Sequence, residues 1–397
     1  VKITFSKREM DEALRLAKIS LGSASAEDFT SKIVVKFTDT PIPHENLLVD
    51  MISTNGRIGT KIPMTAMIED WEEGEPKTFS VEGWRLRQWV AAVQDAITFE
   101  MVEKGQLTAT SGSMKVKLQT FDLARYVEWW KDFSDEKVST RISAKKLHNA
   151  ISYLRNFVGD QDPTYPGMAV LEVKGGKFWA NDPVSLAVLE IEDLKDSTLR
   201  IHGKDAGAVL SFLSTCGTSQ VRIQETDRFA YVMTEEGTLF AVSKPKFGVQ
   251  DYEVETTDDP PMWFVASPQE IRSAVMSLTS GAARENYDLY LLPNIEDGIL
   301  RMRMKSSAGD GSEWNEVNLA LEMGGDTSLL PKIGAPIDFH YIVKSITTIK
   351  NADAVRVGLF VHEVADARKT GFMRVVDVQD GDRFTTMVKW SRFVEEE

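Results

Sequence analysis

The chain has 397 residues, 42% of them apolar and 27% charged, the make-up of an ordinary globular protein with room for two or three cores. Its net charge of −14, taken whole, argues against binding a polyanion, because phosphate contacts need Lys and Arg. No run approaches the roughly eighteen apolar residues of a membrane-spanning helix, and a single cysteine, Cys216, excludes an internal disulfide and suits a reducing cytoplasm.

Residues 1–6 read as a short strand and not as a signal peptide. An amphipathic helix follows over 7–20, with Met10, Ala13, Leu14 and Ala17 on one face. The same opening recurs at 138–143 and at 263–267: a β-branched or aromatic run, then a serine, then a helix. Leu147, Ala150, Ile151 and Leu154 form the second stripe, and Ile271, Ala274, Val275 and Leu278 the third. Ser6, Ser143 and Ser267 are the expected N-caps, with Pro268 at a first helical position.

Each repeat holds a second helix of the same spacing. These carry Leu86, Trp89, Val90 and Val93; then Ala206, Val209, Leu210 and Leu213; then Phe339, Ile342, Val343 and Ile346. Cys216 ends the fourth helix and reads as a buried structural thiol. Alternating strands are expected at 107–120, 229–242, 355–361 and 370–378, with turns at Ser111-Gly112 and at 235–237. Further hairpin turns are expected at 309–311 and 380–382. Six stripes, two per repeat, predict an internal threefold duplication: α+β, three tandem domains over 1–134, 135–256 and 257–397, each with two helices on mainly antiparallel sheet. The junctions fall near 127–134, 244–252 and 256–261.

Charge is distributed unevenly. The helix windows 6–20, 81–94, 143–157, 202–216, 267–280 and 337–351 hold 13 Lys or Arg against 7 Asp or Glu, in a chain where acids outnumber bases 60 to 46. Arg8, Arg15 and Lys18 lie on the first helix, and Arg85 and Arg87 on the second. Lys145 and Arg155 belong to the third, Lys204 to the fourth, Arg272 to the fifth, and Lys344 and Lys350 to the sixth. A solvated face explains the charges of any one helix equally well. Six basic helices in an acidic protein also fit weak, sequence-independent contact with DNA.

The stretches at 79–89, 107–121, 142–151, 175–190 and 247–252, which read FSVEGWRLRQW, LTATSGSMKVKLQTF, ISAKKLHNAI, GGKFWANDPVSLAVLE and FGVQDY, together resemble the bacterial DNA polymerase III β sliding clamp family. FSVEGWRLRQW (79–89) followed by LTATSGSMKVKLQTF (107–121) is similar to the end of that family's first domain. ISAKKLHNAI (142–151), GGKFWANDPVSLAVLE (175–190) and FGVQDY (247–252) resemble successive parts of its second. The third domain matches in pattern more than in letters. The family's Asp-Gly-His-Arg-Leu-Ala loop is here DPVSLA (182–187), without the His and Arg, the mark of a divergent clamp, bacterial or phage-encoded.

The resemblance implies a head-to-tail dimer whose three domains per subunit close a ring around double-stranded DNA. It implies a polymerase processivity factor that is not an enzyme, needs no cofactor or metal, avoids membranes and works in the bacterial or host cytoplasm. DNA polymerase and clamp loader would be its partners, through short peptide motifs. By position, Tyr165, Leu186, Val249, Val254, Met387, Val388 and Trp390 would line the peptide pocket, past which Glu395 to Glu397 extend. Val116 and Leu118 would lie on the edge strand of the subunit interface, facing Leu278 and Thr279.

Two rival readings stand beside this one. An enzyme is disfavoured because His44, His148, His202, His340 and His362 have no metal-ligand spacing and no nucleotide loop or nucleophile elbow is present. A non-enzymatic structural protein, such as a virion component, would share the α+β duplication but has no reason to make its helices basic.

Overall fold

The computed structural model describes the chain except residues 24–28, 40, 43, 72–76, 104, 122–127, 135–139, 250–259, 283–286, 308–312, 329, 332–333, 348, 350–351, 365–367, 380–381 and 394–397. For residues 102–103, 347, 362–364, 368–370, 377–379, 382, 384 and 390–393 it describes the backbone only. The described helices are α1 (Lys7–Ala17), α2 (Gly83–Ala92), α3 (Ala144–Leu154), α4 (Ala206–Cys216), α5 (Pro268–Ser280) and α6 (Phe339–Thr347). All six expected helices are present. The chain divides into two compact units, residues 1–149 with 197–246 and residues 150–196 with 247–397. This division cuts across the second of the three repeats.

In the first unit, twelve strands form one antiparallel sheet with Ile58–Asp70 as its hub. One edge of this long strand pairs first with Leu239–Ser243 and then with Lys2–Phe5. Asn46–Thr54 runs along its other edge. Pro63 falls in the gap between the first two pairings, where a residue without an N–H interrupts least. From Lys2–Phe5 the sheet continues through Ile97–Glu103 and Gln106–Ser111 to Met114–Gln119, which ends that side. From Leu239–Ser243 it continues through Phe229–Thr234 and Gln220–Glu225 to Thr140–Ser143. The expected turns at 111–112 and 235–237 are both there, with Gly112 and Gly237 at positive φ.

Helical periodicity explains how the helices seat. α1 buries Met10, Ala13, Leu14 and Ala17 against the sheet, and α2 buries Leu86 and Val90. Full burial of a Met or Leu side chain contributes about 1.5–3 kcal/mol. Ser6 caps α1 by accepting from the Glu9 N–H. α4 buries Val209, Leu210, Phe212 and Leu213, with the Phe212 ring stacked on Phe240 at 4.6 Å.

A second cluster gathers Trp129, Val34, Ile52, Phe229, Tyr231 and Leu239. Within the expected junction at 127–134, the described part is packed: Trp129 is 2% exposed and the Tyr231 hydroxyl donates to its carbonyl at 2.6 Å. Gly59 makes room for the Trp129 ring, since a Cβ there would lie 2.3 Å from Cε2.

In the second unit, strands run in the order Val170–Lys174, Lys177–Asn181, Ser185–Glu190, Asp382–Phe393, Arg368–Gln379, Val355–Val364, Met262–Ala266 and Glu322–Gly325. The last expected strands are thus longer than 355–361 and 370–378. A four-stranded sheet orders Trp314–Ala320, Ile299–Lys305, Asp288–Asn294 and Ala335–Asp338. α5 opens on a capping box: the Ser267 hydroxyl accepts from Gln269 N–H, and the Ser267 N–H donates to the Glu270 carboxylate. The expected turn at 309–311, most of that at 380–382, and much of the 244–252 and 256–261 junctions lie outside the described residues.

Candidate DNA-facing helices, edge strands and partner groove

The cations assigned to the helices fall into distinct settings. Arg8, Arg15, Lys18, Arg85, Lys145, Arg155, Lys204 and Arg272 are exposed, because the apolar stripe of each helix turns its polar side outward. Arg87 is half-buried with its guanidinium 5.1 Å from the Trp84 ring. Arg8 Nε lies 3.5 Å from Glu12 Oε1, one turn on, and Lys7 pairs with Asp11 in the same way. Lys204 flanks Asp205, which is 4% exposed and ion-paired with Arg57. Lys350 lies outside the described residues.

Lys344 is set apart from this group. Its ammonium donates to Asp182 Oδ2 at 2.8 Å and sits 4.9 Å from the rings of both Phe157 and Tyr341. Asp182 is 7% exposed and also accepts from the Val184 N–H, the Ser185 N–H and the Ser185 hydroxyl. The charge of Lys344 is therefore neutralised inside the second unit. Helical position alone assigned it to the DNA set, and nothing in the local pattern named a partner 162 residues away.

The same turn leads into the expected peptide pocket. Leu186 stands opposite Met387, and Ser185 opposite Val388, where Ser185–Glu190 pairs with the Asp382–Phe393 strand. Val388 is fully buried and Leu186 nearly so, which makes them core as much as lining; Met387 is half-buried. Tyr165 is 53% exposed, on a loop tied down where the Gly159 N–H donates to the Met168 and Asn181 carbonyls. Val249 is half-buried, and its N–H donates at 2.6 Å to the carboxylate of Glu172, itself 3% exposed. Gly248 is needed for that approach, since a Cβ there would meet Glu172 Oε2 at 2.4 Å. Phe247, beside it, is exposed. Val254, the Trp390 side chain and residues 395–397 lie outside the described part.

The proposed interface residues divide likewise. Leu118 and Leu278 are each 1% exposed and belong to their own cores; Val116 packs partly on its core, and the Thr279 hydroxyl donates to the Met276 carbonyl. What Met114–Gln119 offers is its backbone edge together with the exposed side chains of Met114, Lys115 and Lys117. The sequence reading missed a second open edge, Trp314–Ala320, which pairs only with Ile299–Lys305 among the described residues. Glu313 and Glu316 are exposed along it, and Val317 and Leu319 form a groove with Ser273, Ala274 and Ser277 of α5. Its alternation, WNEVNLA, was legible as a strand.

Cys216 is half-buried, not fully so, at the last residue of α4. Burial pushes its thiol up from the ordinary cysteine range. It lines a groove of about 410 Å³ in the first unit with Glu9, Glu12, Arg15, Phe212 and Glu236. Among the described residues no group of three or more His, Cys, Asp or Glu is placed to hold a metal ion, and no helix is long and apolar enough to cross a membrane.

No family model matches the sequence, and no curated protein matches it in sequence. Solved structures are similar in fold over almost the whole chain. The DNA polymerase III subunit beta of Pseudomonas aeruginosa superposes with a TM-score of 0.76 at 17% identity, covering 98% of this chain and 99% of that one. The beta subunit of the Streptococcus pyogenes DNA polymerase gives 0.75 at 14%, with the same coverage. The DNA polymerase sliding clamp of Bacillus subtilis gives 0.74 at 14%, covering 98% of each chain. The chain has the α+β fold of these sliding clamps.

Proposed function

We propose that the chain is a DNA sliding clamp, a processivity subunit without catalytic residues of its own, built from three clamp domains at 1–134, 135–256 and 257–397. The observation that carries this reading is the likeness to β subunits across 98% of this chain and 99% of theirs. The charge pattern supports it: exposed Arg and Lys on helix faces in a protein that is otherwise strongly acidic. Such contacts are weak and blind to sequence, as sliding requires.

Two copies would join head to tail. The edge of Met114–Gln119, with Lys115 and Lys117, suits the edge of Trp314–Ala320, with Glu313 and Glu316, on another copy. Among the described residues each edge leaves main-chain donors and acceptors open, and opposite charges set the partner. Polymerase and loader would dock by short peptides on the Leu186 and Met387 face of the second unit, near Tyr165 and Val249.

The test is retention on DNA. Protein loaded by a competent clamp loader onto nicked circular DNA is expected to stay until the circle is cut. Equal release from circular and linear DNA would sink the proposal.

A further inference from the structure

We propose that Asp11 and Glu12 are electrostatic brakes on α1, holding down its affinity for duplex DNA and leaving α2 and α3 as the segments that carry most phosphate contact. This rests on the clamp reading above. Its basis is the unequal charge balance of the helices. α1 with its flank to Lys18 carries Lys7, Arg8, Arg15 and Lys18, and also Glu9, Asp11 and Glu12. Over the same polar surface α2 carries Arg85 and Arg87 with no acid, and residues 144–155 carry Lys145, Lys146 and Arg155 with none. α4 has no Lys, Arg, Asp or Glu, and its exposed positions are Gly207, Ser211 and Ser214.

The carboxylates of α1 are placed against its own cations. Lys7 pairs with Asp11 and Arg8 with Glu12, both one turn apart. Arg15 shares the first unit's groove with Glu9, Glu12 and Glu236. Glu9 has a separate task, accepting from the Ser6 hydroxyl at 2.8 Å at the helix start. Asp11 and Glu12 cap nothing and are exposed. Exposed pairs of this kind add little to the stability of a helix. Their larger effect is on a phosphate, which must displace the carboxylate and then meet its negative charge well inside one Debye length.

The test measures binding of full-length protein to a labelled blunt duplex by anisotropy, from roughly 50 to 200 mM salt. For D11N/E12Q the expected result is affinity raised about 10- to 20-fold at the low-salt end and a salt slope steeper by about two, one per uncovered cation, so that the gain has nearly closed at the high-salt end. R85Q/K145Q/R155Q is expected to lose affinity and to flatten the slope by about three. The single variants D11N and E12Q, each expected to give part of the rise, keep the test open should the double variant fail to fold. If the acid-to-amide variants bind like wild type, the brake is overturned while the clamp reading stands. A role confined to helix stability predicts that same unchanged binding, with a lower melting point. If neither wild type nor D11N/E12Q shows salt-dependent duplex binding, the brake is overturned, and the clamp reading is decided separately by retention on circular DNA.

Discussion

Lys344 and Asp182 show how one pair can decide what a local surface does. The carboxylate is almost wholly buried, and two of its four partners are main-chain N–H groups of its own turn. Lys344→Met removes the cation bonded to it among the described residues and leaves a charge in low dielectric. Breaking buried pairs costs about 3–5 kcal/mol; with the lysine side chain 22% exposed, about 2–3 kcal/mol is expected in urea denaturation. Adding Asp182→Asn should recover part of the loss, because the amide oxygen still accepts from the turn. Independent, additive losses would show that the pair is not coupled. Gly59 is a second such residue, held by the Trp129 ring. Gly59→Ala is expected to cost about 1–3 kcal/mol, the range of overpacking, read as a lower urea midpoint at unchanged slope. Burial lowers the His202 pKa, with Lys204 and Arg57 lowering it further and Asp205 opposing. The unfolded chain therefore binds that proton more readily. Stability is lost as pH falls below the ordinary histidine range, and His202→Gln is expected to reduce this dependence in pH-resolved melts.

Helices were legible because a period of 3.6 writes itself into the letters. Met10, Ala13, Leu14 and Ala17 needed no partner to be recognised as a buried stripe, and all four are buried. Strands were legible as alternation, but their partners were not. Nothing in residues 58–70 says that one strand will pair with three others, since pairing is fixed by contacts tens to hundreds of residues away. The same limit hid Trp314–Ala320 as an open edge and sent attention to Leu118 and Leu278, which the cores claim. The proposed subunit contact is therefore tested at the strands. K115E/K117E is expected to turn dimer into monomer in sedimentation, with the double mutant E313K/E316K on a second chain restoring a heterodimer. Unchanged dimerisation of the first variant would place the interface elsewhere.

At the scale of the molecule, the excess of 60 acids over 46 bases coexists with exposed basic helix faces. A protein held to DNA only by phosphate contact would lose its grip as salt rises, because each contact releases a counterion and the affinity falls as a power of the salt concentration. A closed ring is held by topology, which salt does not screen. The two modes separate in one measurement. After loading on nicked circles, a wash at about 1 M salt, where the Debye length is only about 3 Å, should strip electrostatically bound protein and spare a threaded ring. Cutting the circle should then release the retained fraction within the time needed to slide off an end. Loss of all protein in the salt wash, before any cut, would leave the fold likeness standing and remove the ring. R85Q/K145Q/R155Q should load less efficiently yet survive the wash once loaded, because its phosphate contacts are weakened while its closure is untouched.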